Sequence, residues 1–246
     1  MLKRLQETAR SQATGRVVTD VRMGLCYTGA QLDDGSTGVA LTFRNDLPKG
    51  CSCRGAPMAG QPADELLAGL TSDDLIARTV ALAVANAVLN RPHAQHVAGD
   101  TLEMLQPSAD DVVGMVGYFG PLVPKIRKQV RSLSIFEKVT AKSQDLLPEE
   151  QAPEILPRCS VAILTSTALL NGSIEKLIDA GAQCREIVLL GASTPLAPDA
   201  FVGTPVTCLS GVIVTDAEKI LGVVSEAGGM QAFRGAIRKV NVRRLH

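Results

Sequence analysis

Two kinds of residue in this chain could do chemistry. The first are hydroxyls and glycines that recur where apolar runs end. Val112–Val116 runs into Gly117-Tyr118-Phe119-Gly120-Pro121, and VAIL is followed by Thr165-Ser166-Thr167. IVLL is followed by Gly191-Ala192-Ser193-Thr194-Pro195, and VTCL by Ser210-Gly211. Such groups offer neutral hydrogen bonds and backbone N–H donors, suited to a carboxylate, a phosphate or a polar chelate. Glycine at a turn also lets a ligand approach the backbone. Asn86 and Asn90 stand four apart, on one face of a helix. The second kind are soft metal donors. Cys51 and Cys53 form C-x-C in a Gly- and Pro-rich stretch, and His93 and His96 form H-x-x-H. Thiolate and imidazole suit zinc, copper or nickel. C-x-C is short of a zinc-finger pattern, and no second Cys pair stands at a standard spacing. A metal arriving inside a small chelate would need no thiolate, because the strand-end hydroxyls could hold the chelate by its carboxylates.

Other chemistries fit less well. A Ser-His-Asp set would need His93, His96 or His246, none of which follows an apolar strand, and there is no G-x-S-x-G elbow. Glu175 and Asp216 fall near predicted helix N-termini, where an acid is favoured by the dipole alone. Gly114, Gly117 and Gly120 read G-x-x-G-x-x-G, which departs from the dinucleotide fingerprint. Glu137 nonetheless ends an apolar run about twenty residues further on, where a ribose-binding acid would sit. An enzyme using a nicotinamide cofactor or S-adenosylmethionine is therefore the alternative reading. Cys26, Cys159, Cys184 and Cys208 lie in or beside apolar strands and read as buried thiols.

The elements that must position these residues change character along the chain. Residues 2–13 predict a helix, residues 16–32 and 37–43 two strands joined by Asp33-Asp34-Gly35-Ser36, and residues 45–62 a long loop. Residues 63–69 and 75–89 predict helices, the second capped by Thr71-Ser72-Asp73-Asp74. This is a small α+β unit, followed by a linker over 92–110. From Asp110 strands alternate with helices: strands at 112–116, 134–137, 161–164, 186–190 and 206–209, helices at 122–131, 169–180 and 216–226. Residues 146–155 read as a loop or short helix, and 234–246 as a last strand. Alternation predicts an α/β fold with a parallel, doubly wound sheet. The expected domains are 1–98 and 99–246. In such a sheet the parallel strands end on one edge, so the strand-end motifs should converge there.

Composition excludes some classes. The formal net charge is +0 and aromatics make up 3% with no Trp, which argues against nucleic-acid partners. No apolar run reaches membrane-spanning length, and the start of the chain lacks an apolar signal core. The expectation is a cytoplasmic protein with reduced thiols and a small-molecule or metal-complex ligand.

GMVGYFGPLVPKIR, LPRCSVAILTSTALLNGSIEKLI, VLLGASTPLAPDAF and LSGVIVTD, with TGVALTF and ANAVLN before them, resemble the "putative heavy-metal chelation" family of bacteria and archaea. The resemblance runs through most of the chain. It implies an enolase-N-terminal-like domain followed by a Rossmann-like domain, with a cleft between them that binds a metal ion or metal complex. By position it points to Gly117, Tyr118, Phe119, Gly120, Pro121, Thr165, Thr167, Asn171, Gly172, Ser193, Thr194, Pro195, Ser210, Gly211, Asp216, Asn86 and Asn90 as cleft or turn residues. Ser166 joins this set as the middle residue of its strand-end motif.

Overall fold

The computed structural model describes residues 1–47, 57–138 and 145–243. The chain opens with α1 (Leu2–Gln12) and continues as β1 (Val18–Met23), β2 (Tyr27–Leu32) and β3 (Thr37–Leu41). These three pair in sequence order as an antiparallel sheet. The single strand expected over 16–32 is thus two strands, turned at Gly24–Cys26, where the Gly24 N–H donates to the Tyr27 carbonyl at 2.9 Å. Alternation carries on across that turn, so periodicity alone could not see it. Cys26 consequently lies in the bend and is only half-buried.

Two helices follow, α2 (Ala63–Leu67) and α3 (Leu75–Leu89). The Asp74 carboxylate caps α3 by accepting from the Ile76 N–H at 2.8 Å. Every residue of α3 from Thr79 to Leu89 is buried. A helix apolar on all sides must be enclosed on all sides, and α3 lies between the small sheet and the second half of the chain.

The stretch expected as a linker holds β4 (Val97–Ala98) and α4 (Thr101–Leu105), the latter capped by Asp100. Then come β5 (Val112–Val116), α5 (Val123–Arg127), β6 (Ser132–Glu137), β7 (Leu147–Pro148), α6 (Ala152–Ile155) and β8 (Val161–Thr165). The chain closes with α7 (Ala168–Asn171), α8 (Ile174–Ala180), β9 (Glu186–Leu190), β10 (Cys208–Val214), α9 (Ala217–Ser225) and β11 (Ile237–Arg243). The helix expected over 169–180 is divided in two. Gly172 takes φ +76°, and the Asn171 side chain turns back to accept from the Ser173 N–H. Local turn chemistry here overrides an apolar period that runs straight through.

The large sheet has the order β4-β11-β10-β9-β8-β5-β6-β7. From β7 to β10 all neighbours are parallel, and β11 and β4 add antiparallel strands at one flank. Numbered by appearance, the six parallel strands run 3-2-1-4-5-6. The chain leaves β5 toward β6 and β7, then returns to the other side of β5 for β8, β9 and β10. The switch point between β5 and β8 is where α/β sheets of this order open a crevice. One buried cluster runs from Leu5 and the α3 alanines to Leu164, Leu189 and Leu209. Another joins Val39 to Val212, Ile220 and Phe233, with the Tyr27 and Phe233 rings 5.0 Å apart. The two halves of the chain are therefore packed through shared cores.

Candidate functional site

The strands β5, β8 and β9 are apolar and almost wholly buried, as strands covered on both faces must be. Their polar residues are pushed to the ends. At the end of β5, Gly117 takes φ +92°, and its N–H donates to the Phe136 carbonyl at 2.8 Å. A Cβ at Gly117 would stand 2.8 Å from the Thr165 Cβ, so the turn after β5 lies directly against the end of β8. The Ser166 N–H donates to the Leu190 carbonyl, and the Gly191 N–H to the Ser210 carbonyl. The strand-end motifs after β5, β8 and β9 thus form one row along one edge. Ser210 differs from expectation: it lies inside β10, level with Leu190, because that strand continues to Val214.

Around the switch point the row is open. Tyr118 is 56% exposed, and Gly117, Gly120, Thr165 and Thr167 are half-buried. The Thr165 and Thr167 hydroxyls pair with each other at 2.9 Å. Phe119 is half-buried as well: it packs against the cluster that holds Val123 and Ile126, with its ring edge against Gly117. Glu137, the last residue of β6, sits across the turn: one carboxylate oxygen accepts from the Tyr118 N–H at 2.8 Å, the other from the Lys138 N–H at 3.0 Å. One of the turn's backbone donors is thus held by the protein's own carboxylate. The helix after this turn, α5, has only five residues and Leu122 at its N-cap, so it adds little dipole to an anion site.

Glu149 and Lys138, unremarked in the sequence, complete the surroundings. Glu149 follows β7, on the same edge as Glu137, and accepts from the Ser173 hydroxyl at 3.4 Å. Burial pushes its carboxyl above the ordinary value; Glu137 and Glu150 push the same way, against Lys138 and Ser173. Lys138 lies 3.5 Å from the Asp46 carboxylate and 5.1 Å above the Phe43 ring. The segment after β3 therefore reaches the end of β6. The signal for Glu149 was its place after Leu147-Pro148, too short a strand for a periodicity to register.

On the other side of the row the same residue types are enclosed. The Ser193 hydroxyl accepts from the Leu41 N–H at 2.8 Å. The Asn90 amide donates to the Thr194 and Val212 carbonyls at 2.9 and 3.1 Å, and its oxygen accepts from the Leu196 N–H at 2.8 Å. Asn86 donates to the Val39 carbonyl at 2.8 Å. Ser210 and Thr101 share a hydrogen bond of 2.6 Å. The Ser166 hydroxyl, fully buried, faces the Leu190 carbonyl at 3.3 Å. Thr194 is also fully buried, and its hydroxyl has no partner among the described residues. Asn171 is exposed and forms the turn already described. Asp216 caps α9 by accepting from the Lys219 N–H at 3.0 Å. His93 and His96 lie at the β4 flank, far along the sheet from the switch point. Cys51 and Cys53 fall outside the described residues.

Two family models, both described as "Putative heavy-metal chelation", match residues 100–243 and 6–89. The chain belongs to this family. A crystal structure from Pyrococcus horikoshii, of a protein with unknown function, superposes with TM-score 0.88 at 23% identity, covering 98% of this chain and 99% of that one. A second, from Desulfitobacterium hafniense and likewise of unknown function, gives TM-score 0.80 at 22% identity and covers 98% of each chain. An uncharacterized protein of Methanocaldococcus jannaschii is 23% identical over 229 residues, spanning 90% of this chain and 88% of the relative. At these identities the structures establish the fold, and the family description carries metal binding as its theme.

The donor set can be set against that theme. Among the described residues no group of three or more His, Cys, Asp or Glu is placed to hold a metal ion. The described switch-point side chains supply oxygen: the Thr165 and Thr167 hydroxyls and the Glu137 and Glu149 carboxylates. Oxygen donors suit hard ions and the polar periphery of a complex better than a bare soft metal. The described thiols Cys159, Cys184 and Cys208 are buried, which raises their pKa and keeps them protonated. Among the described residues no helix is long and apolar enough to cross a membrane.

Proposed function

We propose that the protein binds a small metal complex at the switch point, between the turn Gly117–Gly120 and the motif Thr165–Thr167. The observation that carries this reading is the half-open pair of threonine hydroxyls beside a positive-φ glycine, at the switch point where a 3-2-1-4-5-6 sheet opens a crevice. Thr165 and Thr167 exchange their mutual hydrogen bond for bonds to the ligand's polar periphery. Gly117 and Gly120 let the ligand come close to the backbone. Glu137 and Glu149 face the positive charge of the metal, and Lys138 faces any carboxylate that the chelator leaves free. Tyr118 offers an exposed ring as a wall. The expected anionic ligand is thereby narrowed to one that also carries a cationic centre.

The test is calorimetry with nickel(II) citrate, free nickel(II) and free citrate, on the wild type and on Thr165→Val/Thr167→Val. The complex should bind better than either component, and the double variant should weaken it by about tenfold or more, the worth of a lost hydrogen bond or two. Equal affinity in the two proteins would sink the assignment to this edge. Binding of the free metal alone would move attention to side chains elsewhere, Cys51 and Cys53 first.

The cofactor-enzyme reading keeps one specific observation: Glu137 does end the second strand of the parallel order, where a ribose-binding acid belongs. Its bond to the Tyr118 N–H counts the other way, since a diphosphate needs that donor. A thermal shift with a nicotinamide dinucleotide or S-adenosylmethionine, absent in Glu137→Ala, would restore it.

A further inference from the structure

A separate polar pocket lies at the antiparallel flank of the large sheet. Val240 of β11 pairs with Ala98 of β4, and both line it. Arg238, two residues before Val240 and so on the same face of the strand, lines it as well. The segment after α3 supplies the opposite wall, where the His96 N–H donates to the His93 carbonyl at 3.1 Å and the two rings stand 5.7 Å apart. The pocket is about 410 Å³ in volume, within the usual span of small-ligand sites. Among the described residues no carboxylate lines it.

Its polar side chains, His93, His96 and Arg238, can all present donors. The Gln95 N–H donates to His93 Nδ1 at 3.2 Å, so in the neutral ring the proton resides on Nε2. His96 Nδ1 is buried without a partner among the described residues, which leaves Nε2 as the nitrogen that can meet a ligand. Arg238 is exposed and contributes a fixed cation with a planar donor fork. A metal ion would have to displace the His93 proton and settle beside that cation. An anion meets neither obstacle. Burial, His93 and Arg238 all push the His96 pKa below its ordinary value, and an anion seated among them would oppose the last two effects.

We propose that this pocket binds a small oxyanion, a phosphate or carboxylate group, through Arg238 and the Nε2 side of His93 and His96. It is distinct from the switch-point edge, with β10 and β9 between them.

The test is a titration of the imidazole resonances of the ¹⁵N-labelled full chain with inorganic phosphate, and separately with citrate, at constant ionic strength. Both histidines should shift together and saturate with at least one of the two. A response to phosphate alone assigns a phosphate ester as the ligand class, and a response to citrate alone a carboxylate. Arg238→Ala should weaken the affinity by about tenfold or more, the loss of a charge-assisted pair, with partial recovery in Arg238→Lys. His93→Ala, also on the surface, should weaken it without lowering the melting temperature. Absence of saturation with either anion, unchanged affinity in Arg238→Ala, or ring shifts produced by zinc chloride in their place would each overturn the proposal.

Discussion

The row of strand-end residues divides into two halves that use the same chemistry differently. On the β9–β10 side, Ser193, Thr194 and Ser210 are buried beneath α3, β3 and α4, and Ser193 and Ser210 bond to residues of the other elements. On the β5–β8 side, Thr165 and Thr167 are half-exposed and bond to one another. A hydroxyl after a strand therefore means stitching in one half and an accessible donor in the other. The difference lies in what covers the edge. The helix α3 and the strand β3 close over β9 and β10, while β5 and β8 meet the turn at Gly117.

Substitutions can break or sharpen that contrast. The largest expected effect is on the closed side. Asn90→Ala removes three hydrogen bonds, leaving the Leu196 N–H and two carbonyls unpaired in the interior, and should cost about 2–4 kcal/mol in denaturant unfolding. A loss below the experimental error would mean that the closed side is not held by this amide.

Next comes the opposite end of the same strands, which serves as a control. Buried Asp111 accepts from the Arg185 guanidinium at 2.6 Å, from the Ser108 N–H at 2.7 Å and from the Ser160 hydroxyl at 2.7 Å. Burial by itself would raise this carboxyl, but those bonds hold it well below the ordinary carboxylate range. A depressed folded-state pKa adds stability above the unfolded value of about 3.9, and that stability is lost as pH falls through the folded value. Asp111→Asn should lose about 2 kcal/mol at neutral pH, since Arg185 is half-exposed and retains water. Acid titration of stability below about pH 4 should be correspondingly flatter in the variant. Parallel curves for the two proteins would remove Asp111 from the account.

Smaller effects bear on the open side. Gly117→Ala puts a Cβ at φ +92° against Thr165 and should cost about 1–2 kcal/mol, with a matching fall in affinity for the nickel complex. Ser193→Ala should cost about 1 kcal/mol by stranding the Leu41 N–H, and should leave that affinity unchanged. Thr165→Val/Thr167→Val completes the contrast: stability within about 1 kcal/mol of wild type, with affinity reduced as above. If Ser193→Ala and the threonine pair acted alike in both measurements, the two halves would not differ in kind.

The sheet edge was legible from the order of the residues, because short apolar runs such as Val161–Leu164 and Ile187–Leu190, alternating with helices, read as buried strands whose polar successors gather where the strands end. The bounds of α3 were legible too, from an apolar run closed by Asp74 before it and Arg91-Pro92 after it. The turn at Gly24–Cys26 and the break at Gly172 were not, since each interrupts a period that continues on its far side. Nor was the strand β4, two residues long and recruited by β11 from across the chain.

By itself the sequence determined the elements, the α/β alternation and the hydroxyl-rich strand ends, because these follow from local periodicity and from the need to bury apolar runs. Tertiary structure decided which of those hydroxyls are accessible. It placed Asn90 across the ends of two strands, brought Glu137 onto the Tyr118 N–H, and set Arg238 beside two histidines some 140 residues earlier. Those choices depend on which elements pack over which edge, a pairing between distant segments that no local pattern of residues encodes.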